Sequence, residues 1–86
     1  MKLLFCLECK DVISLNINKT KRCECKKSFG NYTDEINAHY SGPCIPIGFA
    51  NRSFLYAVKN QPDNGWGKKF ESFVIEKNCP TFIRKE

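Results

Sequence analysis

Phe5-Cys6-Leu7-Glu8-Cys9-Lys10-Asp11 and, further along, Arg22-Cys23-Glu24-Cys25-Lys26 decide how this chain is built. Each segment holds two cysteines two or three positions apart, and thirteen residues, 10–22, separate the pairs. Thiolates this close in sequence grip one cation from a single tight turn, and a second such turn completes a tetrahedron. Four sulfurs suit Zn²⁺, with Zn–S bonds of about 2.3 Å. Cys6, Cys9, Cys23 and Cys25 are therefore the expected ligands of one structural zinc ion. Between them, Val12, Ile13, Leu15 and Ile17 favour strands, while Asn16, Asn18 and Lys19 favour a turn. Residues 10–22 thus predict a hairpin that brings the two pairs together.

With those residues in view, the chain up to about residue 30 resembles a zinc ribbon. Phe5 to Asp11 looks like one ribbon knuckle, and Arg22 to Lys26 like its shortened partner. Two departures stand out. The residue after each pair is often Gly in ribbons, and here it is Lys10 and Lys26. The second pair is also spaced by one residue rather than two. The resemblance implies metal binding. It does not imply one function, because ribbons serve in nucleic-acid binding, protein docking and plain stabilisation. The whole chain is also similar to a group of short bacterial and phage zinc-ribbon proteins, through residues 45–51, Ser53-Phe54 and residues 69–75. That group brings no activity with it.

Six cysteines in 86 residues also permit a disulfide framework. Disulfides need an oxidising compartment. The apolar run at the N-terminus spans only Leu3 to Phe5, against the ~7–15 residues of a secretion signal. No stretch reaches the ~18 apolar residues that span a bilayer. Reduced thiols and a cytoplasmic location follow as the expectation, with no membrane partner. The remaining cysteines, Cys44 and Cys79, read as small buried side chains. The competing reading joins them with His39 in a second metal site.

The length gives a single domain, 1–86, with a zinc-ribbon part (1–30) and a small sheet plus helix (31–86). Small chains bury only ~60–65% of their unfolded surface, so a core of this size is marginal. Structural zinc contributes ~10–16 kcal/mol in peptide systems, and its loss is expected to unfold residues 1–30 first.

Net charge is +5 and the isoelectric point about 9.0. Lys19, Lys21, Arg22, Lys26 and Lys27 cluster around the second knuckle, with Glu24 as the one acid among them. Phe29 and Tyr32 follow closely. Cations attract phosphates and rings stack on bases, so this set points to nucleic acid or an acidic protein surface. The alternative is a phage- or mobile-element-encoded inhibitor, or a nucleotide sponge, acting on a host defence protein. Arg52 and Trp66 would then be contact residues. Catalysis is not expected. There is one histidine, His39, and no phosphate-binding Gly-rich loop or His-Glu-x-x-His helix. Cys44 is the one candidate nucleophile, and four thiolates leave zinc no open position for water.

Elsewhere, residues 29–40 read as extended. Asn51 reads as the N-cap of a helix over residues 52–60, with Phe54, Leu55 and Val58 on one face. Residues 61–68 form a loop carrying Trp66, which would pack over the core or stand exposed as a contact. Residues 69–77 predict a central strand, and residues 81–84 a short final one. The expected fold class is small α+β, mostly β: an N-terminal zinc-ribbon hairpin fused to a small antiparallel sheet with one short helix.

Overall fold

The computed structural model describes residues 1–85. Leu4 of β1 (Lys2–Cys6) lies at the centre of the fold and is fully buried. β1 pairs antiparallel with β2 (Val12–Ser14) on one side and with β6 (Cys44–Phe49) on the other. β7 (Ser72–Val74) adds to β6, giving a first sheet of order β2-β1-β6-β7. The second sheet runs β3 (Lys21–Arg22), β4 (Phe29–Tyr32), β5 (Ala38–Ser41) and β8 (Phe82–Arg84). β8 lies parallel to β5, and the other pairings are antiparallel. One helix, α1 (Asn51–Lys59), follows β6. The small α+β, mostly β class is as expected.

Period-two alternation sets what each sheet buries. Leu4, Cys6, Ile13, Cys44 and Ile75 of the first sheet share one core with Ala38, Tyr40 and Phe82 of the second. The Tyr40 and Phe82 rings meet edge to face at 4.8 Å. Gly30 sits where β4 passes closest. A Cβ there would stand 2.5 Å from the His39 carbonyl and 3.2 Å from Leu4 Cδ1. Arg84 ties the sheets at one edge, its guanidinium donating to the carbonyls of Gly42 and Cys44.

Residues 10–22 do not form one hairpin. The turn at Asn18 exists, with φ at 60° and a bridge between Asn16 and Lys19. Its arms diverge, however. β2 is drawn to β1, where Ile13 faces Leu4, and β3 is drawn to β4. Each sheet therefore takes strands from both sides of residue 30. Residues 29–40 are extended as expected, closed by a turn in which Asp34 Oδ1 accepts from the Ile36 and Asn37 amides, at 2.7 Å each. Those amides hold the Asp34 carboxyl down to about 2.

Three expectations about the C-terminal half are corrected. Ala50, not Asn51, is the N-cap of α1; Asn51 is the first helical residue, and its Oδ1 accepts from the N-terminal ammonium at 2.8 Å. Leu55 and Val58 are exposed, whereas Phe54 joins Phe49 and Phe70 in an aromatic trio and Ala57 is buried. β7 is a short, exposed edge strand rather than a central one over residues 69–77. Pro46 contributes to its shortness. The Ile75 amide donates to the Pro46 carbonyl at 2.9 Å, but proline has no N–H to return, so the ladder loses a bond there. The short strand expected over residues 81–84 is β8.

Candidate metal centre

The two knuckles are built alike. Cys6 to Cys9 form the turn of hairpin β1–β2, and Cys23 to Cys25 the turn of hairpin β3–β4. In the first, the Cys6 amide donates to the Asp11 carbonyl and the Lys10 amide to the Cys6 carbonyl, both at 2.9 Å. In the second, the Cys23 amide donates to the Ser28 carbonyl and the Lys26 amide to the Cys23 carbonyl, both at 3.0 Å. The missing residue in Cys-x-Cys shortens the inner ring by one residue and leaves the outer one intact. Lys10 and Lys26 both adopt the left-handed conformation, with φ at 64° and 66°. These are the positions where ribbons favour Gly, so the departure seen in the sequence is a departure in residue type and not in backbone shape.

The knuckles bring four sulfurs together. Every pair among Cys6, Cys9, Cys23 and Cys25 lies within 4.8 Å. Cys6 and Cys25 Sγ are 3.7 Å apart, and Cys23 and Cys25 Sγ 3.4 Å. A tetrahedron with bonds of about 2.3 Å has edges of about 3.8 Å, so the spacing fits a four-coordinate ion of that bond length. The group can hold a metal ion. All six cysteines are free thiols, so no disulfide framework forms.

Backbone amides surround the sulfurs. The Ser28 N–H points to Cys23 Sγ at 3.4 Å. Cys6 is drawn down to about 6, first by the Ser28 hydroxyl and then by the Cys9 amide, against burial. That hydroxyl is fully buried and has no formed hydrogen bond among the described residues. Its nearness favours the thiolate at both Cys6 and Cys44. Cys25 moves the other way, up to about 12: the Lys27 amide works to lower it, but burial and the neighbouring sulfurs outweigh that. Crowded thiols behave this way because the first to ionise repels charge on the rest, and a central cation reverses the repulsion.

Besides the sulfurs, two further contacts among the described residues cross between the knuckles. Lys27 Nζ pairs with Glu8 at 2.8 Å, and the Glu24 amide donates to Asp11 Oδ2 at 3.0 Å. Glu8, Asp11 and Ser28 were not singled out in the sequence. The signal that could have found them is position, since each lies inside a knuckle or within three residues of its last cysteine.

The basic set is partly assembled. Lys19 stands at the Asn18 turn, Lys21 and Arg22 on edge strand β3, and Lys26 and Lys27 on the second knuckle. Arg22 lies over the Phe29 ring at 4.4 Å and donates to the Lys26 carbonyl at 3.2 Å. Lys21, opposite Gly30, is directed to the other side of β3 and is half-buried. Phe29 and Tyr32 do not share a surface: they leave β4 on opposite sides. The Tyr32 hydroxyl accepts from the Lys2 amide at 3.0 Å, and Lys2 Nζ lies over its ring at 5.4 Å. Arg52 is exposed on α1, and Trp66 is fully exposed in its loop rather than packed on the core. A cavity of about 420 Å³ lies beside that loop, floored by Phe54, Ala57, Val58 and Phe70.

Cys44 is buried in the core, and Cys79 packs at its margin. Among the described residues, no group of metal-ligating atoms forms besides the four sulfurs, so His39, Cys44 and Cys79 do not assemble a second site. No helix among them is long and apolar enough to cross a membrane. No protein-family model matches the chain, and neither the curated proteins nor the solved structures yield a match.

Proposed function

We propose that this chain is a non-catalytic zinc module whose basic surface engages an anionic partner, foremost nucleic acid. The four-sulfur cage carries the reading. It is closed by protein ligands, suits Zn²⁺ in donor type and spacing, and leaves no position for a reacting water. Bound there, zinc would supply structure, and the residues of this chain would do the recognising. Lys19, Lys21 and Lys26 offer ammonium groups to phosphates. Arg22, flattened on Phe29, offers a planar cation beside a ring. Lys27 contributes less, since Glu8 already neutralises it.

The test uses reductively purified protein. Elemental analysis should give about one zinc per chain, and Cys6→Ser with Cys23→Ser should abolish it. Labelled single- and double-stranded oligonucleotides, followed by anisotropy at ~50 mM salt, should be retained by wild type. Lys19→Gln, Lys21→Gln and Lys26→Gln together spare the Arg22 and Lys27 contacts. They should weaken binding and lower the salt slope by ~2–3, at ~0.7–0.9 per phosphate contact. Zinc content should not change. Absence of binding by wild type would refute the nucleic-acid reading.

One observation favours the second reading, a protein-directed inhibitor. A fully exposed Trp66 beside an apolar-floored cavity is the kind of anchor that protein interfaces use. Binding that ignores salt and is lost in Trp66→Ala would select it.

A further inference from the structure

The second sheet buries Gly30, Ala38, Tyr40 and Phe82 on its inner side. By period-two alternation its outer side shows the residues between them. Register sets these in two rows. Arg22, Phe29 and Ser41 stand side by side on β3, β4 and β5, and the pairing of Tyr40 with Arg84 puts Lys85 beyond Ser41. Asn31, His39 and Ile83 form the second row, on β4, β5 and β8. Phe29 and Ile83 do not belong to the core, and Ile83 is 46% exposed. Among the described residues, the hydrogen bonds and ring contacts of these side chains stay within the sheet and the adjoining knuckle. Arg22 lies over Phe29 and donates to the Lys26 carbonyl. The Asn31 amide donates to the Tyr32 carbonyl at 3.0 Å, and the Ser41 hydroxyl to the Lys85 carbonyl. A shallow depression of about 150 Å³ opens between Thr20, Phe29, Asn31, His39, Ser41 and Lys85.

We infer that a single strand of nucleic acid crosses this outer face, its bases against Phe29 and His39 and its backbone held between Arg22 and Lys85. The inference rests on the nucleic-acid reading above and adds the strand form and the face. Charge selects an anionic occupant. Cations stand at both edges of the first row, and no acid stands on this face of the four strands; Glu24, Asp34 and Glu35 lie in the turns at its two ends. The side chains between the cations select an unpaired strand. A ring under a planar guanidinium, an imidazole, an amide and a hydroxyl are groups that stack on base faces and bond to base edges. A duplex keeps its base faces inside the stack. Its major groove admits a helix or a two-stranded ribbon, and a four-stranded face is too broad to enter it. Three strand spacings of ~4.8 Å make the row ~14 Å wide, which matches the two or three bases that sheets of this kind take. Edge strand β3 adjoins Lys19 and Lys26, so a strand leaving at Arg22 runs on to the basic knuckle.

Anisotropy titrations of the reductively purified full chain test this, with a labelled oligothymidine of ~12 nucleotides and a duplex of equal length at ~50 mM salt. The single strand should bind at least about tenfold tighter than the duplex. His39→Ala should weaken single-strand binding about fivefold or more, the loss of one base stack. Lys85→Gln, at an exposed position, should lower the single-strand salt slope by ~0.7, the loss of one phosphate contact, and decides the matter if His39→Ala fails to fold. Both variants should leave duplex binding unchanged. Equal affinity for the two forms overturns the inference. So does single-strand binding that both variants keep while the Lys19, Lys21 and Lys26 substitutions weaken it; the basic-knuckle reading would then stand without the sheet face. A wild type that binds neither form overturns both.

Discussion

Replacing Lys26 by Gly is expected to stabilise the protein, against the usual direction of a glycine substitution. Lys26 holds φ at 66°, where the Cβ of an L-residue crowds the following carbonyl at a cost of about 1–2 kcal/mol. Glycine removes that cost and adds about 0.5–1 kcal/mol of chain entropy to be lost on folding. The net gain is about 0.5–1 kcal/mol, or roughly 2–8 °C in Tm for a domain this size. Among the described residues no contact of the Lys26 side chain offsets it, since only its backbone is engaged, the amide by the Cys23 carbonyl and the carbonyl by Arg22. Lys10 at φ 64° makes the internal comparison. Its ammonium donates to the Leu7 carbonyl at 2.6 Å, so Lys10→Gly forfeits that bond and should gain less. Asn18 at φ 60° provides the second comparison, because Asn tolerates this conformation and Asn18→Gly should be close to neutral. Urea denaturation of the metal-loaded variants reads the series. Loss of more than about 0.5 kcal/mol in Lys26→Gly would refute the strain argument, because nothing else is removed.

Gly30→Ala should destabilise by about 3 kcal/mol, measured by denaturation, because a Cβ there meets the His39 carbonyl and the fixed Leu4 side chain. Asp34→Asn should remove a pH-dependent part of the stability. The Asp34 carboxyl is held near 2 against an ordinary 3.8, so its contribution is complete above pH 3.8 and is lost as pH falls toward 2. The stability difference between wild type and variant should therefore shrink across that window, and a constant difference would contradict it. Chelation should lower hydrogen-exchange protection in β5 and β8 as well as in the knuckles, and protection there that survives metal removal would show that the second sheet holds without the clamp.

The four-cysteine group was legible in the sequence because its signal is local. Two short spacings name four ligands, and each knuckle folds within about six residues. What surrounds it was not legible. Residues 10–22 carry a good hairpin pattern and the Asn18 turn is real, but tertiary pairing overrides local pairing. Ile13 gains a place opposite Leu4, and that placement depends on a strand on the other side of the first knuckle. Residues 69–77 read as central because apolar residues alternate on both sides, and Phe73 and Val74 do stand on opposite faces. They are exposed because one side looks outward from the molecule and the other lies at its rim. Asn51 was misplaced by one position because the N-terminal ammonium, far away in sequence, claims its side chain. The grouping of Phe29 with Tyr32 failed on parity: three residues apart, they share a face in a helix and not in a strand.

The position of the cysteines sets what a metal held by them would do. Had residues 10–22 formed a ribbon hairpin, zinc would staple one local unit, and its loss would be a local event. Instead Cys6 and Cys9 end the first sheet's hairpin, and Cys23 and Cys25 end the second's. A single ion held at that point would fasten two separate sheets across a core of Leu4, Tyr40, Phe82 and their neighbours. The protein contacts that cross beside it are one exposed ion pair and one exposed amide–carboxylate bond. Exposed pairs contribute about 0–1 kcal/mol, whereas a structural zinc contributes ~10–16 kcal/mol. An ion held there would add a clamp to two sheets that already share a core and the Arg84 hydrogen bonds. Cys6, Leu4, Leu3 and Phe5 belong to one strand, so an ion held at Cys6 would act on both faces of the first sheet through β1.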